Sequence, residues 1–311
     1  MKTRIKKTRI TTVLFFALLA VLTTFISCSG DGLDPELEVK TIAAGFSTGN
    51  DAITVDHRGN IYVSEYGRFV NTGGNGTRVF KITPDGDVSD FITGLSGPLG
   101  NAMDFEGNFY VVNANNTVNG QILKIAPDGT RSVLATLDGW PAGLALDHEN
   151  NIYVSNFLTP TVHKITQDGV VTVYGSDPRL AGGVGMDFDR KGNLIVGNYA
   201  TSDILSIKPN GNVSLLANIP DIVVNGSGIG YITVVGNSIF ATGIGVHKIF
   251  KVSMNGNIEE FAGTGNASVV DGPLKEASFN APNGITADPY NRAIYISEYK
   301  GDNAIRKITL Y

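Results

Sequence analysis

Six times the chain spells nearly the same five residues. Ile61-Tyr62-Val63-Ser64-Glu65 returns as Phe109-Tyr110-Val111-Val112-Asn113 and as Ile152-Tyr153-Val154-Ser155-Asn156. It returns again as Leu194-Ile195-Val196-Gly197-Asn198, Ile239-Phe240-Ala241-Thr242-Gly243 and Ile294-Tyr295-Ile296-Ser297-Glu298. The first residues of these phrases lie 48, 43, 42, 45 and 55 positions apart. Self-similarity at such a period, built from short apolar runs, means one structural unit copied around or along something. The first four residues of the phrase read as apolar strand. The fifth is polar in five of the six copies.

Each copy has the same internal order. An apolar run such as Pro141-Ala142-Gly143-Leu144-Ala145-Leu146 comes first, then a turn such as His57-Arg58-Gly59-Asn60, then the phrase. A third run follows, as in Val79-Phe80-Lys81-Ile82, and a second turn such as Pro84-Asp85-Gly86 or Pro127-Asp128-Gly129. A fourth run closes the unit. Asp-Gly and Asn-Gly supply the positive φ that tight hairpins need. The reading is a four-stranded antiparallel meander repeated six times, which predicts an all-β, six-bladed propeller. The 38 glycines and the 17% charged residues suit many strands and tight turns. Residues Asp56, Asp104, Asp147, Asp187 and Asp288, at the ends of the first strands, read as turn caps.

The last copy ends after its third strand, Ile305-Arg306-Lys307-Ile308. Val39-Lys40-Thr41-Ile42-Ala43-Ala44-Gly45 has the pattern of the missing fourth one. A strand supplied from the N-terminus closes a ring and removes two open sheet edges. Phe261-Ala262-Gly263-Thr264-Gly265, Asp271-Gly272-Pro273 and Ala277-Ser278-Phe279-Asn280-Ala281-Pro282-Asn283-Gly284-Ile285 together resemble an NHL repeat. Residues 39–311 are similar to the wider group of NHL-repeat and regucalcin/gluconolactonase-like propellers. The resemblance implies the fold. It leaves the chemistry open, because that fold hosts scaffolds, lactonases, lyases and synthases.

The N-terminus is separate. Lys2, Arg4, Lys6, Lys7 and Arg9 precede an apolar run from Val13 to Ile26. The order is that of a secretory signal, and the run is short for a membrane span of about 20 residues. Phe25-Ile26-Ser27-Cys28 resembles the lipobox of bacterial lipoproteins, and Cys28 is the only cysteine. The expected organisation is a signal peptide at 1–27, a tether at 28–38 with a lipidated Cys28, and the propeller at 39–311. Removing residues 1–27 leaves 19 of the 24 basic residues against 29 acidic ones, a formal net charge of −10. That argues against nucleic acid and allows cations or neutral ligands. The protein is expected to be exported and held at the cell envelope by its lipid.

In a propeller the first strands line the central channel, and the connections between second and third strands share the face where ligands bind. The phrase ends place Glu65, Asn113, Asn156, Asn198 and Glu298 there. The starts of the first strands add Asp51, Asn101, Ala142, Gly183, Ser227 and Asn283. Closure makes blades one and six neighbours, so Glu65, Glu298, Asp51 and Asn283 form an expected oxygen-ligand set for a divalent cation, calcium first. Asn101, Asn113, Asn156, Asn198 and Trp140 are the expected ligand-binding residues. The aromatics that follow the phrase, Tyr66, Phe157, Tyr199 and Tyr299, read either as stacking platforms or as packing between blades. Two long loops, 66–77 and 266–280, are expected over the same face. His57 and His148 fall in turns on the opposite face, while His163 and His247 fall in third strands away from the axis.

Two functions stay open. One is a binding propeller that takes a small polar ligand or a protein partner at the channel mouth. The other is a calcium-dependent lactone or ester hydrolase similar to gluconolactonase. Asn283-Gly284 matches a motif of those relatives, but in blade six. The start of blade four, Ala181-Gly182-Gly183-Val184-Gly185, departs from their pattern because it has no Asn.

Overall fold

The computed structural model describes residues 37–47, 49–70, 73–113, 119–288, 290 and 292–310. The signal segment, Cys28 and the tether up to residue 36 lie outside them. Six antiparallel sheets surround one axis. Blade one is Asn50–Val55, Ile61–Glu65, Arg78–Ile82 and Val88–Thr93. Blades two to five repeat the order, beginning at Asn101–Met103, Pro141–Leu146, Gly183–Phe188 and Ile229–Val235. The sixth sheet holds Pro282–Asp288, Ala293–Glu298, Ile305–Thr309 and the N-terminal strand Glu38–Ala43.

Closure follows the expected route with one addition. Glu38–Ala43 pairs antiparallel with Ile305–Thr309, matching Val39 with Ile308 and Thr41 with Arg306. Its free side is covered by a two-residue strand, Gly272–Pro273, so the sixth sheet has five strands. That cover comes from the 266–280 loop. The loop reaches the ligand face as expected at Asn280, which lines a cavity there, but it also turns inward: Ala277 and Phe279 are fully buried in the core. The reason is edge protection: an uncovered strand would present a row of unpaired backbone groups. Asp271 fastens the junction by accepting from the Thr41 backbone N–H at 2.9 Å, the Thr41 hydroxyl at 2.7 Å and Arg306 at 2.8 Å.

The second strands carry the repeated phrase. All five phrase residues are buried in blades one to four, because neighbouring blades cover both faces. The aromatic second residue packs between blades and ties down the preceding turn. The hydroxyls of Tyr62, Tyr110 and Tyr153 donate to Asp56, Asp104 and Asp147 at 3.0, 3.0 and 3.1 Å. Each of these Asp residues also accepts from turn backbone, as expected of caps. In blade four the cap is Asp189, not Asp187. Asp187 is two residues earlier and accepts from Thr233 and the Val234 N–H of blade five.

The fourth phrase residue joins blades. The Ser64 hydroxyl accepts from Asn101 of blade two at 2.8 Å. Ser155 donates to the Val184 carbonyl of blade four at 2.8 Å, and Thr242 to the Asn283 carbonyl of blade six at 2.6 Å. Ser297 donates to the Asp51 carbonyl of blade one and so bridges the seam. These bonds need close backbones. A Cβ at Gly143 would overlap the Val184 carbonyl oxygen, and one at Gly284 would overlap that of Asp51.

Deleting Glu38–Ala43 exposes the Ile305–Thr309 edge and removes fully buried Val39. The expected loss exceeds the ~2–5 kcal/mol of one large core truncation and should appear as a lower, single melting transition in calorimetry. A truncated protein that melts with its parent would refute closure by this strand.

Candidate functional site

The channel mouth holds a cavity of about 440 Å³. Its wall is aromatic: Tyr66, Phe69, Trp140, Phe157, Tyr199 and Tyr299. Leu99, Ala142, Val184 and Ile244 fill the spaces between them, and Asp51, Ser227 and Asn283 supply polar groups. The register explains this lining. In blades one to four and six, the residue two places before the first-strand partner of the third phrase residue faces the mouth; these are Asp51, Leu99, Ala142, Val184 and Asn283. In blade two that residue is Leu99. Asn101 lies two places further on, so it lines a second, deeper cavity of about 140 Å³. There its amide donates to the Ala52 carbonyl and to Ser64.

The aromatics that follow the phrase are held by one recurring bond. The N–H groups of Phe157, Tyr199 and Tyr299 donate to the carbonyls of Trp140, Gly182 and Ala281 at 2.7, 2.8 and 2.9 Å. Each bond pins the end of a second strand to the connection that begins its own blade. The rings then form an arc. Phe69 stacks on Trp140 with centroids 6.0 Å apart and planes at 26°. Trp140 meets Phe157 edge-on at 5.6 Å, and Phe157 meets Tyr199 at 5.8 Å. Phe69 belongs to the 66–77 loop of blade one, which therefore reaches the mouth as expected. The Trp140 indole N–H is shielded from solvent and meets no acceptor among the described residues.

The three Asn residues at phrase ends turn away from this cavity. Asn156 accepts from the N–H groups of Trp140, Leu158 and Thr159 and donates to the Asp138 carbonyl. Asn198 donates to the Arg179 and Ala181 carbonyls and accepts from Ala200 and Thr201. Asn113 accepts from the Ser96 N–H at 2.7 Å. They clamp connections, a common use of side-chain amides in loops. Asn156 acts on the site at one remove, by fixing the Trp140 backbone.

The expected cation ligands divide. Asp51 and Asn283 meet at 2.9 Å. Glu65 is instead gripped by Arg78 at 3.1 and 3.2 Å, and that Arg reaches on to Asp90. Glu298 is fully buried and pairs with fully buried Arg306 at 2.7 Å. Successive strand residues face opposite sides, and Arg78 lies directly across from Glu65 in the sheet. Neither Glu lines the mouth. Among the described residues, no three His, Cys, Asp or Glu side chains gather as a metal site would need. The oxygen set around Asp51 therefore fits poorly with the six to eight ligands of calcium.

Asp51 has a different setting. It accepts from the Tyr231 hydroxyl at 2.6 Å, Asn283 and the Ala52 N–H. Blades five, six and one thus meet at one carboxylate, between the two cavities. Tyr231 occupies the position held by Ala52, Gly100, Gly143, Gly185 and Gly284 in the other blades. That irregularity is visible in the sequence but was not among the expected site residues. Burial drives Asp51 from 3.8 up to about 6, against the hydrogen bonds from Tyr231, Asn283 and Ala52. Burial also raises Tyr66 and Tyr299, so these phenols stay neutral at physiological pH. His247 precedes its strand at φ 59° and accepts from the Ala281 N–H, so it belongs to the ligand face rather than to a third strand. Burial, then the nearby Lys300, lowers it.

Beside the aromatic basin lies a polar alcove of about 520 Å³, lined by Ser47, Gly49, Gly67, Arg68, Asn280, Tyr299, Lys300, Gly301 and Asn303. Tyr299 and Lys300 line both spaces, which places the alcove at the seam of blades six and one.

No protein-family model matches the chain, and no curated protein matches it. Solved structures do. Virginiamycin B lyase from Staphylococcus aureus bound to quinupristin is 19% identical with a TM-score of 0.61, over 89% of this chain and 100% of that one. An auxiliary nutrient binding protein from Bacteroides thetaiotaomicron is 16% identical with a TM-score of 0.70, over 88% of this chain and 76% of that one. A gluconolactonase from Xanthomonas campestris is 14% identical with a TM-score of 0.63, over 88% and 90%. At these identities the likeness shows the fold, a six-bladed propeller, as the NHL/regucalcin resemblance implied.

The Asp51 shift gives a pH prediction. An acid whose folded pKa lies above its unfolded value stabilises below the unfolded pKa, and that contribution is lost as pH rises through the folded one. For Asp51 the loss runs from about pH 4 to pH 7. His163 and His247, both lowered by burial, act oppositely near pH 6. The Asp51 contribution is therefore read as a difference. Between pH 5 and pH 7.5, wild type should lose on the order of 1 kcal/mol more stability than Asp51→Asn. Parallel pH profiles in chemical denaturation would show that Asp51 ionises as an ordinary carboxylate.

Proposed function

We propose that the protein is an envelope-anchored binding propeller that takes a small ligand with a flat ring face at the channel mouth. One observation carries this: four rings, Phe69, Trp140, Phe157 and Tyr199, run in contact around a 440 Å³ basin. A concave, largely apolar pocket with a few polar groups is the usual form of a small-molecule site. The rings supply stacking area, and Ser227 and the Asp51–Asn283 pair supply orientation. Anchoring rests on the sequence, where the apolar leader ends at Cys28. The printed name of the Bacteroides thetaiotaomicron neighbour, an auxiliary nutrient binding protein, agrees with a binding role. A calcium-dependent hydrolase draws support only from the name of the gluconolactonase neighbour. Glu65 and Glu298 would have to leave their arginines to serve it.

Trp140 is the only tryptophan, so its emission reports this basin alone. Titration with a panel of pyranoses and hydroxylated aromatic rings should quench or shift that emission saturably. By calorimetry, Trp140→Ala should weaken the responding ligand about tenfold. A panel that leaves the emission unchanged counts against the basin as a ring site. Added calcium should leave the melting temperature of the chelator-treated protein where it was. A site held at 100 times its Kd would add about 2.7 kcal/mol, so a clear rise would revive the hydrolase.

A further inference from the structure

The polar alcove has a charge pattern that the basin alone does not explain. Arg68 comes from the loop after the second strand of blade one, and Lys300 from the turn after the second strand of blade six. Closure of the ring brings both to one cavity of about 520 Å³. Neither side chain has an ion-pair partner among the described residues. Six other Lys and Arg residues do: Lys40, Arg78, Lys164, Arg179, Lys248 and Arg306. No Asp or Glu among the described residues lines the alcove, although the whole chain carries 29 acidic against 24 basic residues. Asp302 is close in sequence, but it is exposed and does not line the cavity. Asn303 does line it, is only 7% exposed, and has a side-chain oxygen with no donor.

The two spaces share Lys300 at their boundary but differ beyond it: Asp51 lines only the basin, while Arg68 lines only the alcove. A ligand lying across both would be oriented by this difference. Its ring would stack in the arc, and its anionic group would face the alcove. Cations gathered without counter-charge repel one another, and an anion between them relieves that repulsion.

We propose that the ligand is an acid: a six-membered ring with a stacking face and a carboxylate, seated with the ring against Trp140 and the carboxylate between Arg68 and Lys300. This rests on the basin being a ring site and adds the charge of what it selects. The same chemistry comes from two sources, a hexuronic acid or an aryl carboxylate, and the probes must separate them.

The test pairs each acid with its neutral counterpart. Galacturonate and galactose form one arm; 4-hydroxybenzoate and 4-hydroxybenzamide form the other. Each is titrated into the purified protein at low salt with Trp140 emission as readout. In one arm the acid should bind at least about tenfold tighter than its neutral partner, the range expected for two charge-assisted contacts at a partly solvated site. The arm that does so names the source. Raising NaCl to 0.5 M should shrink that preference. In the Arg68→Gln/Lys300→Gln double variant the ratio should collapse towards one, and Lys300→Glu should turn it towards the neutral ring. Both positions are exposed, and an unchanged melting temperature will show that the variants are folded. Equal binding of acid and neutral ring, or a preference that survives the double variant, overturns the proposal while leaving the ring site standing. If none of the four probes moves Trp140 emission in wild type, the acid proposal falls together with the ring site.

Discussion

The structure depends on blades being stitched to their neighbours through the fourth residue of the repeated phrase. Ser64, Ser155, Thr242 and Ser297 each place a hydroxyl against the first strand of the next blade. Apolar packing between blades is strong but tolerant of sliding. At three seams, those made by Ser155, Thr242 and Ser297, a hydrogen bond to one particular backbone carbonyl sets the rotation of one blade against the next; Ser64 does so through the Asn101 side chain, and blades two and four carry Val112 and Gly197 at this position. Gly143 and Gly284 are part of the same device, because they let the carbonyl come close enough to be reached. The last stitch, from Ser297 to Asp51, is the one that joins the end of the propeller to its beginning.

The site follows from that arrangement one residue at a time. In four blades the fourth phrase residue joins blades, in five the fifth clamps a connection or pairs with an arginine, and in four the sixth is an aromatic ring that lines the mouth. A strand that alternates its faces cannot give the fifth and sixth residues the same surroundings. This is why Glu65 and Glu298 are drawn onto Arg78 and Arg306 while Tyr66 and Tyr299, one position later, line the mouth.

Much of the fold was legible because it is written six times. Strand order, turn residues and the N-terminal closing strand are local patterns that survive repetition. The functional side was legible only in part. Trp140, Asp51, Asn283 and the sixth-position aromatics could be placed by counting along strands. The Asn residues at positions 113, 156 and 198 could not be judged by residue type, because an amide that binds a ligand and one that clamps a loop look the same in one dimension. Asn101 went astray because blade two starts its first strand three residues later than its equivalents, so that its mouth-facing residue, Leu99, precedes the strand. Tyr231 was missed although it stands where other blades carry Ala or Gly. Its role needs a partner 180 residues away, which no local pattern announces.

The Asp51–Asn283 contact spans 232 residues and joins the first blade to the last. The mouth is therefore not the property of any blade. A chain still emerging from synthesis, or one whose last blade has peeled away, retains most of its aromatic surface but lacks the carboxylate–amide–phenol junction beneath it. Under the proposed binding role the mouth would act as a census of the whole ring: only molecules that have finished folding would take up a ligand, and a seated ligand would favour keeping the ring shut.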